Sequence, residues 1–334
     1  MELISVKKNG VELGLLNVSG LDVDIGKTND FVITFSSADW DGNEILTEAD
    51  YWYADGFGEF GGRIGCITSS TSAKTVKASG YTWRGMLAKK IIEPDAGADY
   101  KIVSGEANQV LSQLISSRFG GFFVVSTKQT QFTIRSHQFK RYESLLSGIV
   151  DMLYEVGAKL DISYIPGKYS AHDFTPGYVL VQAVAIVDYS NEIEYSQDGK
   201  IDFIAKDYHM GVNHLICLGK GELRNRQVLH LYANSSGTIS TTQTLFGIDE
   251  VAEIYDYSSA ESLDDLRSYG ISKFKEIANY KSLQISLNQM DANIGDIVGG
   301  QEQITGITLK KQIANIILKV DKKGKVTITH KVGD

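Results

Sequence analysis

Apolar and polar positions alternate over most of the first eighty residues, the two-residue period of strands that bury one face. Leu3–Lys7 and Val11–Leu16 flank Asn9-Gly10, a pair that accepts positive φ at both central positions of a type I′ hairpin. Asp30–Phe35 (DFVITF) alternates around β-branched residues, and Gly62–Ser69 and Lys74–Ala78 follow across a Ser/Thr-rich turn. The pattern predicts a small barrel or sandwich over residues 1–81.

From Thr82 the period lengthens to that of helices. Trp83–Lys90 reads as a short helix ending before Pro94, and Ala107–Phe119 places Val110, Leu111, Leu114 and Ile115 on one face before Gly120-Gly121 stops it. Phe122–Ser126 and Gln131–Arg135 read as a hairpin. Tyr142–Val156 carries an apolar stripe of Tyr142, Leu145, Leu146, Ile149, Val150 and Leu153, with Gly157 at the C′ position. A strand, Lys159–Ile165, completes an α/β domain over 82–166. Two of the three prolines, Pro166 and Pro176, bound a linker. Strands resume over 177–247, a helical insertion with a Ser258-x-x-Glu261 capping box occupies 248–290, and strands return over 291–334. The expected fold class is α+β and β-rich, with two β-barrels, an α/β domain between them, and the second barrel split by its helical insertion.

Composition agrees with many tightly turned strands. There are 33 glycines and 17 tyrosines against 3 prolines, in a chain that is 43% hydrophobic and so able to bury a core without metal or disulfide staples. The formal net charge of −8 argues against broad contact with a phosphate backbone, which needs a clustered basic face, and no nucleic-acid sequence recognition is expected. Cys66 and Cys217 lie far apart and suggest buried thiols in strands. The N-terminus has no basic segment followed by an apolar run, and no apolar stretch reaches the roughly 18 residues of a membrane span. Synthesis in a bacterial cytoplasm is the expectation.

Residue constellations that carry chemistry are sparse. His209, His214 and Cys217 cluster in YHMGVNHLIC, but in a strand His214 and Cys217 point to opposite faces, and no CxxC or HExxH supports them as ligands. Gly219-Lys220-Gly221 lacks the GxxxxGK[ST] frame and the following helix of a phosphate loop. Asp39, Asp41, Asn43 and Asp50 fall at positions 1, 3, 5 and 12 of a calcium loop, yet Glu44 replaces the turn glycine and Asp50 the bidentate glutamate. There is no GxSxG. No catalytic residue, metal or cofactor is expected, and the chain is read as structural and not as an enzyme.

The remaining candidates are surfaces. The segment 39–59 has seven acidic residues and no basic ones, with Trp40, Trp52, Tyr53 and Phe57 as aromatics that pack into the barrel or into a neighbour. Residues 248–266 carry seven acidic and no basic residues, while 309–334 carry seven lysines against two aspartates. Lys310, Lys311 and Lys319 are the candidates for charge-matched contact with an acidic face of an adjacent subunit.

One stretch resembles a known family. Residues 51–94 contain GEFGG at 58–62, a strand from Arg63, a Ser/Thr turn, then GYTWRGML from Gly80 and the exit KIIEP. This is similar to the N-terminal region of hub proteins of bacteriophage tails and phage-tail-like particles, close to the Gp37-like group of Gram-positive phages and prophages. NHLICLGKGELRNRQVLHLYA (213–233) and IGDIVGG with ITGITLKKQI (294–313) resemble later segments of that group. The resemblance implies barrels of tail-tube type, three chains forming a pseudo-sixfold ring, and location in a virion tail. It implies partners in the tail tube or distal tail protein on one side, and a spike, fibre or tape-measure component on the other. A particle-associated glycan hydrolase is the competing enzymatic reading. A carbohydrate-binding adaptor, stacking sugars on Trp40 and Trp52, is the competing binding reading.

Overall fold

The computed structural model describes residues 1–38, 40, 49–169, 173–190, 201–260, 262–278, 280–288, 292–301 and 308–332, with the backbone alone at 49–50, 169, 201–207, 280–288, 300–301 and 308–309. In chain order the first elements are β1 (Leu3–Lys7), β2 (Glu12–Leu15), β3 (Gly20–Ile25), β4 (Asp30–Ser36), β5 (Ala49–Ala54), β6 (Gly61–Ser70), β7 (Thr75–Thr82) and α1 (Trp83–Ala88). Then come β8 (Ile102–Glu106), α2 (Ala107–Ile115), β9 (Phe123–Val125), β10 (Thr133–Gln138), α3 (Leu145–Tyr154), β11 (Ala158–Ile165), β12 (Lys168–Tyr169), β13 (Phe174–Thr175) and β14 (Tyr178–Ala185). The last are β15 (Ile201–Tyr208), β16 (His214–Leu218), β17 (Val228–Ala233), β18 (Ile239–Ser240), β19 (Ala252–Asp256), α4 (Leu263–Ile277), β20 (Tyr280–Asn288), β21 (Ile297–Gln301), β22 (Thr308–Val320) and β23 (Val326–Val332). The chain forms two units, one of Met1–Asp202, Ile285–Gln301 and Lys310–Asp334, the other of Phe203–Gln284 and Glu302–Leu309.

The fold is β-rich α+β. In the first unit a long sheet runs β20-β23-β22-β3-β4-β7-β6-β5-β1-β2, with β21 beside β22. The described strands leave this order open, and none of the sheets closes into a barrel. They do not separate into the two barrels expected near 1–80 and 177–334, because β22 pairs antiparallel with β3, from Ile316 opposite Ile25 to Val320 opposite Leu21. Leu21, Val23 and Ile25 are buried, as are Ile316 and Leu318. Joining the two edges satisfies amides that two open sheets would each leave exposed.

The first hairpin also departs from its expected turn. Gly10 has φ 84°, whereas Asn9 has no positive φ. The Gly10 amide donates to the Lys7 carbonyl at 2.8 Å, so Lys8 and Asn9 are the central pair and glycine follows in the left-handed region. A β-carbon at Gly10 would stand 2.8 Å from that of Pro176.

Against β5 lies an α/β core. The face predicted for α2 is buried in full at Val110, Leu111, Leu114 and Ile115, each worth roughly 1.5–3 kcal/mol over exposure. The predicted 122–135 hairpin does not form. β9 pairs parallel with β14, whereas β10 pairs antiparallel with β8. The buried Asn108 separates them: its amide donates to the Lys128 carbonyl at 2.8 Å, and its oxygen accepts from the Ala183 amide at 2.9 Å. Glu106, the N-cap of α2, accepts from the Thr130 amide at 2.8 Å and holds the intervening loop against the helix end.

Helix α3 is shorter than its apolar pattern. Ser144 caps it by accepting from the Ser147 amide at 3.1 Å, while Tyr142 lies outside with φ 58° and its side chain exposed. Leu145, Ile149, Met152 and Leu153 are buried, and Gly157 (φ 74°) follows its end. Leu146 is half-buried, packed at the margin of the core, and Val150 is exposed, so that position of the expected stripe belongs to another face.

The second unit holds a four-stranded sheet, β18-β17-β16-β19, covered by α4. Leu215, Cys217, Leu231, Leu266 and Phe274 are its core. A β-carbon at Gly270 would sit 2.6 Å from the Cys217 sulfur, which sets how closely helix and sheet pack. The helix starts later than the Ser258-x-x-Glu261 box predicts. Ser262 is the N-cap, accepting from the Asp265 amide at 3.1 Å, and Glu261 lies outside the described residues.

Candidate assembly surface

The aromatic run of β5 is core and not surface. Tyr51 and Tyr53 face the α/β layer, where Tyr51 stacks on Phe122 at 4.4 Å and Tyr53 leans on Tyr164 at 4.5 Å. Trp52 points to the opposite face and meets the edge of Phe31 at 5.0 Å, with none of its surface exposed. A strand covered on both faces can carry aromatics at consecutive positions. Trp52 and Tyr53 are therefore unavailable as interface residues, and Trp52 cannot stack a sugar. The Tyr53 hydroxyl donates to Glu12 at 2.8 Å, and burial followed by the Glu12 carboxylate raises its pKa above the ordinary tyrosine range.

Phe57 is half-buried in the turn after β5, and Trp40 is half-buried with its ring edge-on to Phe35 at 5.1 Å. The possible calcium positions Asp39, Asp41, Asn43 and Glu44 lie outside the described residues, as does the side chain of Asp50.

The three candidate lysines all fall on β22. Lys319 is exposed and pairs with Asp22 at 3.0 Å, directly opposite it on β3. Lys310 is exposed and pairs with Asp188. Hydrogen bonds from Lys310, then from Ser190, hold the Asp188 carboxyl down at about 2. Lys311 is half-buried. Lys310 and Lys319 thus already have partners in their own chain, and as exposed pairs they add little stability.

Lys310 and Lys311 also line an open cleft of about 920 Å³ between β22 and α3. Its helical wall holds Leu146, Val150 and Tyr154, spaced four residues apart, together with Asp151; Leu146 also packs against the core. Val150 and Tyr154 are 41% and 59% exposed. Ile294 and Ile297 complete an apolar floor.

Two buried ion pairs escaped the sequence reading, since neither has a local signature. Arg84, at the start of α1, pairs with Glu59 and donates to the Leu160 carbonyl at 2.8 Å. Burial pushes the Glu59 carboxyl upward, opposed by the Arg84 guanidinium. Lys159 on β11 pairs with Asp296 at 2.5 Å, with side chains 7% and 1% exposed.

In the second unit the alternation predicted for β16 holds. Cys217 faces α4, where burial pushes its thiol up to about 11, whereas His214 lies on the other face. There His214 Nδ1 meets Glu250 Oε1 at 2.5 Å, its Nε2 meets His230 Nδ1 at 2.8 Å, and its ring stacks on Tyr232 at 4.3 Å. No group of three His, Cys, Asp or Glu side chains is arranged to hold a metal ion among the described residues. Gly219-Lys220-Gly221 belongs to the connection from β16 to β17, whose only helical part is the three-residue turn Leu223–Asn225. Cys66, unlike the buried thiol expected, is exposed on β6. No helix among the described residues is long and apolar enough to cross a membrane.

No family model matches the chain, and no curated protein does. Among solved structures, the fold is similar to that of the 43 kDa tail protein of prophage MuSo2 from Shewanella oneidensis, with a TM-score of 0.52 and 12% identity. That likeness covers 99% of this chain and 98% of the other. A tail protein from Neisseria meningitidis MC58 gives a TM-score of 0.49 at 12% identity over 100% and 96% of the two chains. Prophage tail protein gp18 from Listeria monocytogenes EGD-e gives 0.48 at 12% over 99% and 94%. At such identity the MuSo2 likeness is one of fold, and it runs from end to end.

Proposed function

We propose that the chain is a structural component of a phage tail or phage-tail-like particle, placed at the baseplate hub as in the Gp37-like group. The observation that carries this is the end-to-end fold likeness to the MuSo2 tail protein, over 99% of this chain. The GEFGG and GYTWRG segments support it through their packing. A β-carbon at Gly62 would fall 2.3 Å from the Tyr81 carbonyl oxygen, and one at Gly80 1.9 Å from that of Arg63. Gly62 and Gly80, one from each segment, thus serve one close β6–β7 approach, which is a reason of fold.

In this reading three chains form a ring that joins the tail tube or distal tail protein to spike or fibre components. The middle of the long sheet, around β4–β7, and its β23–β20 end supply, in this reading, the two tube-facing units that three chains need to meet a sixfold tube. The role is mechanical, with no catalytic step, and its place is the virion tail. The test is to tag the chain in the genome that encodes it, purify the particles and locate it by cryo-electron microscopy. Three copies in a ring between tube and tip are expected. Particles without the chain would overturn the tail role, and a copy number other than three would overturn the ring.

A further inference from the structure

Beside its buried face, helix α3 carries Val150 and Tyr154 exposed, with the half-buried Leu146 packed against the core at their edge. Leu146, Val150 and Tyr154 stand over the open cleft, with Ile297 at its floor and Lys310 and Lys311 on its far wall. An exposed apolar stripe of this kind, with Lys311 and the Asp188-paired Lys310 on one side and Asp151 on the helical wall, fits a segment that combines large apolar side chains with a carboxylate directed at the lysine side. The chain itself carries such a segment. Residues 245–250 of the second unit read LFGIDE. They form a single 3₁₀ turn, Gly247–Asp249, in which Gly247 has φ 66° and the Glu250 amide donates to the Gly247 carbonyl at 3.3 Å. Phe246 is 63% exposed and Ile248 98% exposed, and Asp249 follows immediately.

A fully exposed isoleucine at the apex of an ordered turn is expensive in water and has a use when it is buried elsewhere. Transfer of such a side chain from water into an apolar cleft is worth roughly 1.5–3 kcal/mol, a free-energy change that corresponds to about ten- to a hundredfold in association. We propose that the 245–250 turn of one copy docks into the α3–β22 cleft of a second copy. Ile248 and Phe246 would lie against Val150 and Tyr154, and Asp249 would face Lys310 and Lys311. Such a contact is heterologous, joining two different patches, and closes into a ring when the rotation between copies permits. It rests on the multi-copy reading above and specifies which surfaces of the copies meet.

The test is disulfide trapping in the full chain. Val150→Cys and Ile248→Cys are combined with Cys66→Ser, and the protein is oxidised at high concentration. Disulfide-linked oligomers are expected from the doubly substituted chain, and from a mixture of the two single variants only mixed dimers. Adding Lys310→Glu and Lys311→Glu should slow linking by roughly fivefold per lost pair, and Asp249→Lys on the partner should restore it. A disulfide within one chain, or none between chains, overturns the docking. If trimers assemble without the link, the docking fails and the ring reading stands. If the link forms but the products are open polymers, the docking stands and the ring reading fails.

Discussion

Replacing Asp296 by Asn should destabilise the first unit severely, although the two side chains are nearly the same shape. Asp296 gathers segments that are remote in sequence. Its Oδ1 accepts from the Val187 amide at 2.9 Å, and its Oδ2 accepts from the Asn293 amide at 2.9 Å and pairs with Lys159 at 2.5 Å. Its carbonyl accepts from the Ile313 amide at 2.8 Å. The carboxylate therefore ties β11, the end of β14 and the approach to β21. An asparagine can keep one oxygen toward Val187, but its NH₂ then faces two donors. Lys159 would be a buried cation stripped of its paired carboxylate, which costs about 3–5 kcal/mol. The orphaned Asn293 amide adds about 1–3 kcal/mol. A total near 5 kcal/mol, at ~2–4 °C per kcal/mol for a unit of this size, lowers the midpoint of thermal unfolding by roughly 10–20 °C.

Calorimetry and urea unfolding followed by far-ultraviolet circular dichroism read this directly. The control is Lys159→Met in the Asp296→Asn background, which removes the stranded charge and lets the site pack as a neutral one. The double variant should recover the share due to the stranded charge, about 3–5 kcal/mol, and keep the loss due to the Asn293 amide. A single variant within about 1 kcal/mol of the native protein would refute the reasoning, since mutations that remove a buried pair are expected to exceed that margin. So would a double variant no more stable than the single one.

Ile149→Asp should unfold the α/β layer, costing several kcal/mol, while Leu146→Asp should cost markedly less because Leu146 borders the cleft; equal melting curves would contradict the two-faced assignment of α3. Gly80→Ala should cost about 2–3 kcal/mol by forcing β6 and β7 apart, whereas Gly56→Ala, with φ 74° and open space around it, should cost about 1 kcal/mol; urea midpoints decide. Ser262→Ala should cost about 1 kcal/mol and speed amide exchange in the first turn of α4. The depressed Asp188 pKa means that its link to Lys310 is complete above about pH 4 and is lost as pH falls toward 2. In Lys310→Gln the Asp188 titration, followed by NMR, should move up toward the ordinary aspartate range; an unmoved midpoint would show that Lys310 is not the cause.

Local elements were legible where one period dominated. The buried face of α2 and the alternation that separates His214 from Cys217 follow from spacing alone. The errors share a physical origin, which is that periodicity reports that a side chain is apolar but not what covers it. For Trp52 and Tyr53 the sequence leaves packing inward and contact with a neighbour both open, because a strand covered on both faces has no alternation to display. Val150 reads as core because an apolar cleft wall and an apolar core face look alike on a helical wheel, whereas Leu146, half-buried against the core, stands at the border of the two. The end of α3 at Ser144 was missed because Tyr142 extends the stripe in sequence, although its φ of 58° takes it out of the helix.

Pairing between distant strands is the part that no local pattern carries, and β22 against β3 is the case that decides the architecture. Both strands are apolar and alternating, and a shift of one residue would turn Ile316 and Leu318 to the wrong face. The register has a polar lock. Asn315 is 6% exposed within β22, beside the irregularity between Ile313 and Asn315, and its amide donates to Asp24 Oδ1 at 2.9 Å and to the Ile25 carbonyl at 3.1 Å. In sequence, Asn315 looks like an interruption in TLKKQIANIILKV, a reason to doubt the strand. In the fold it is the residue whose unsatisfied amide would penalise each slipped alternative by about 1–3 kcal/mol. The same strand exposes Lys310 and Lys319 and holds Lys311 half-buried, so the lock that joins β22 to β3 also fixes where these lysines stand.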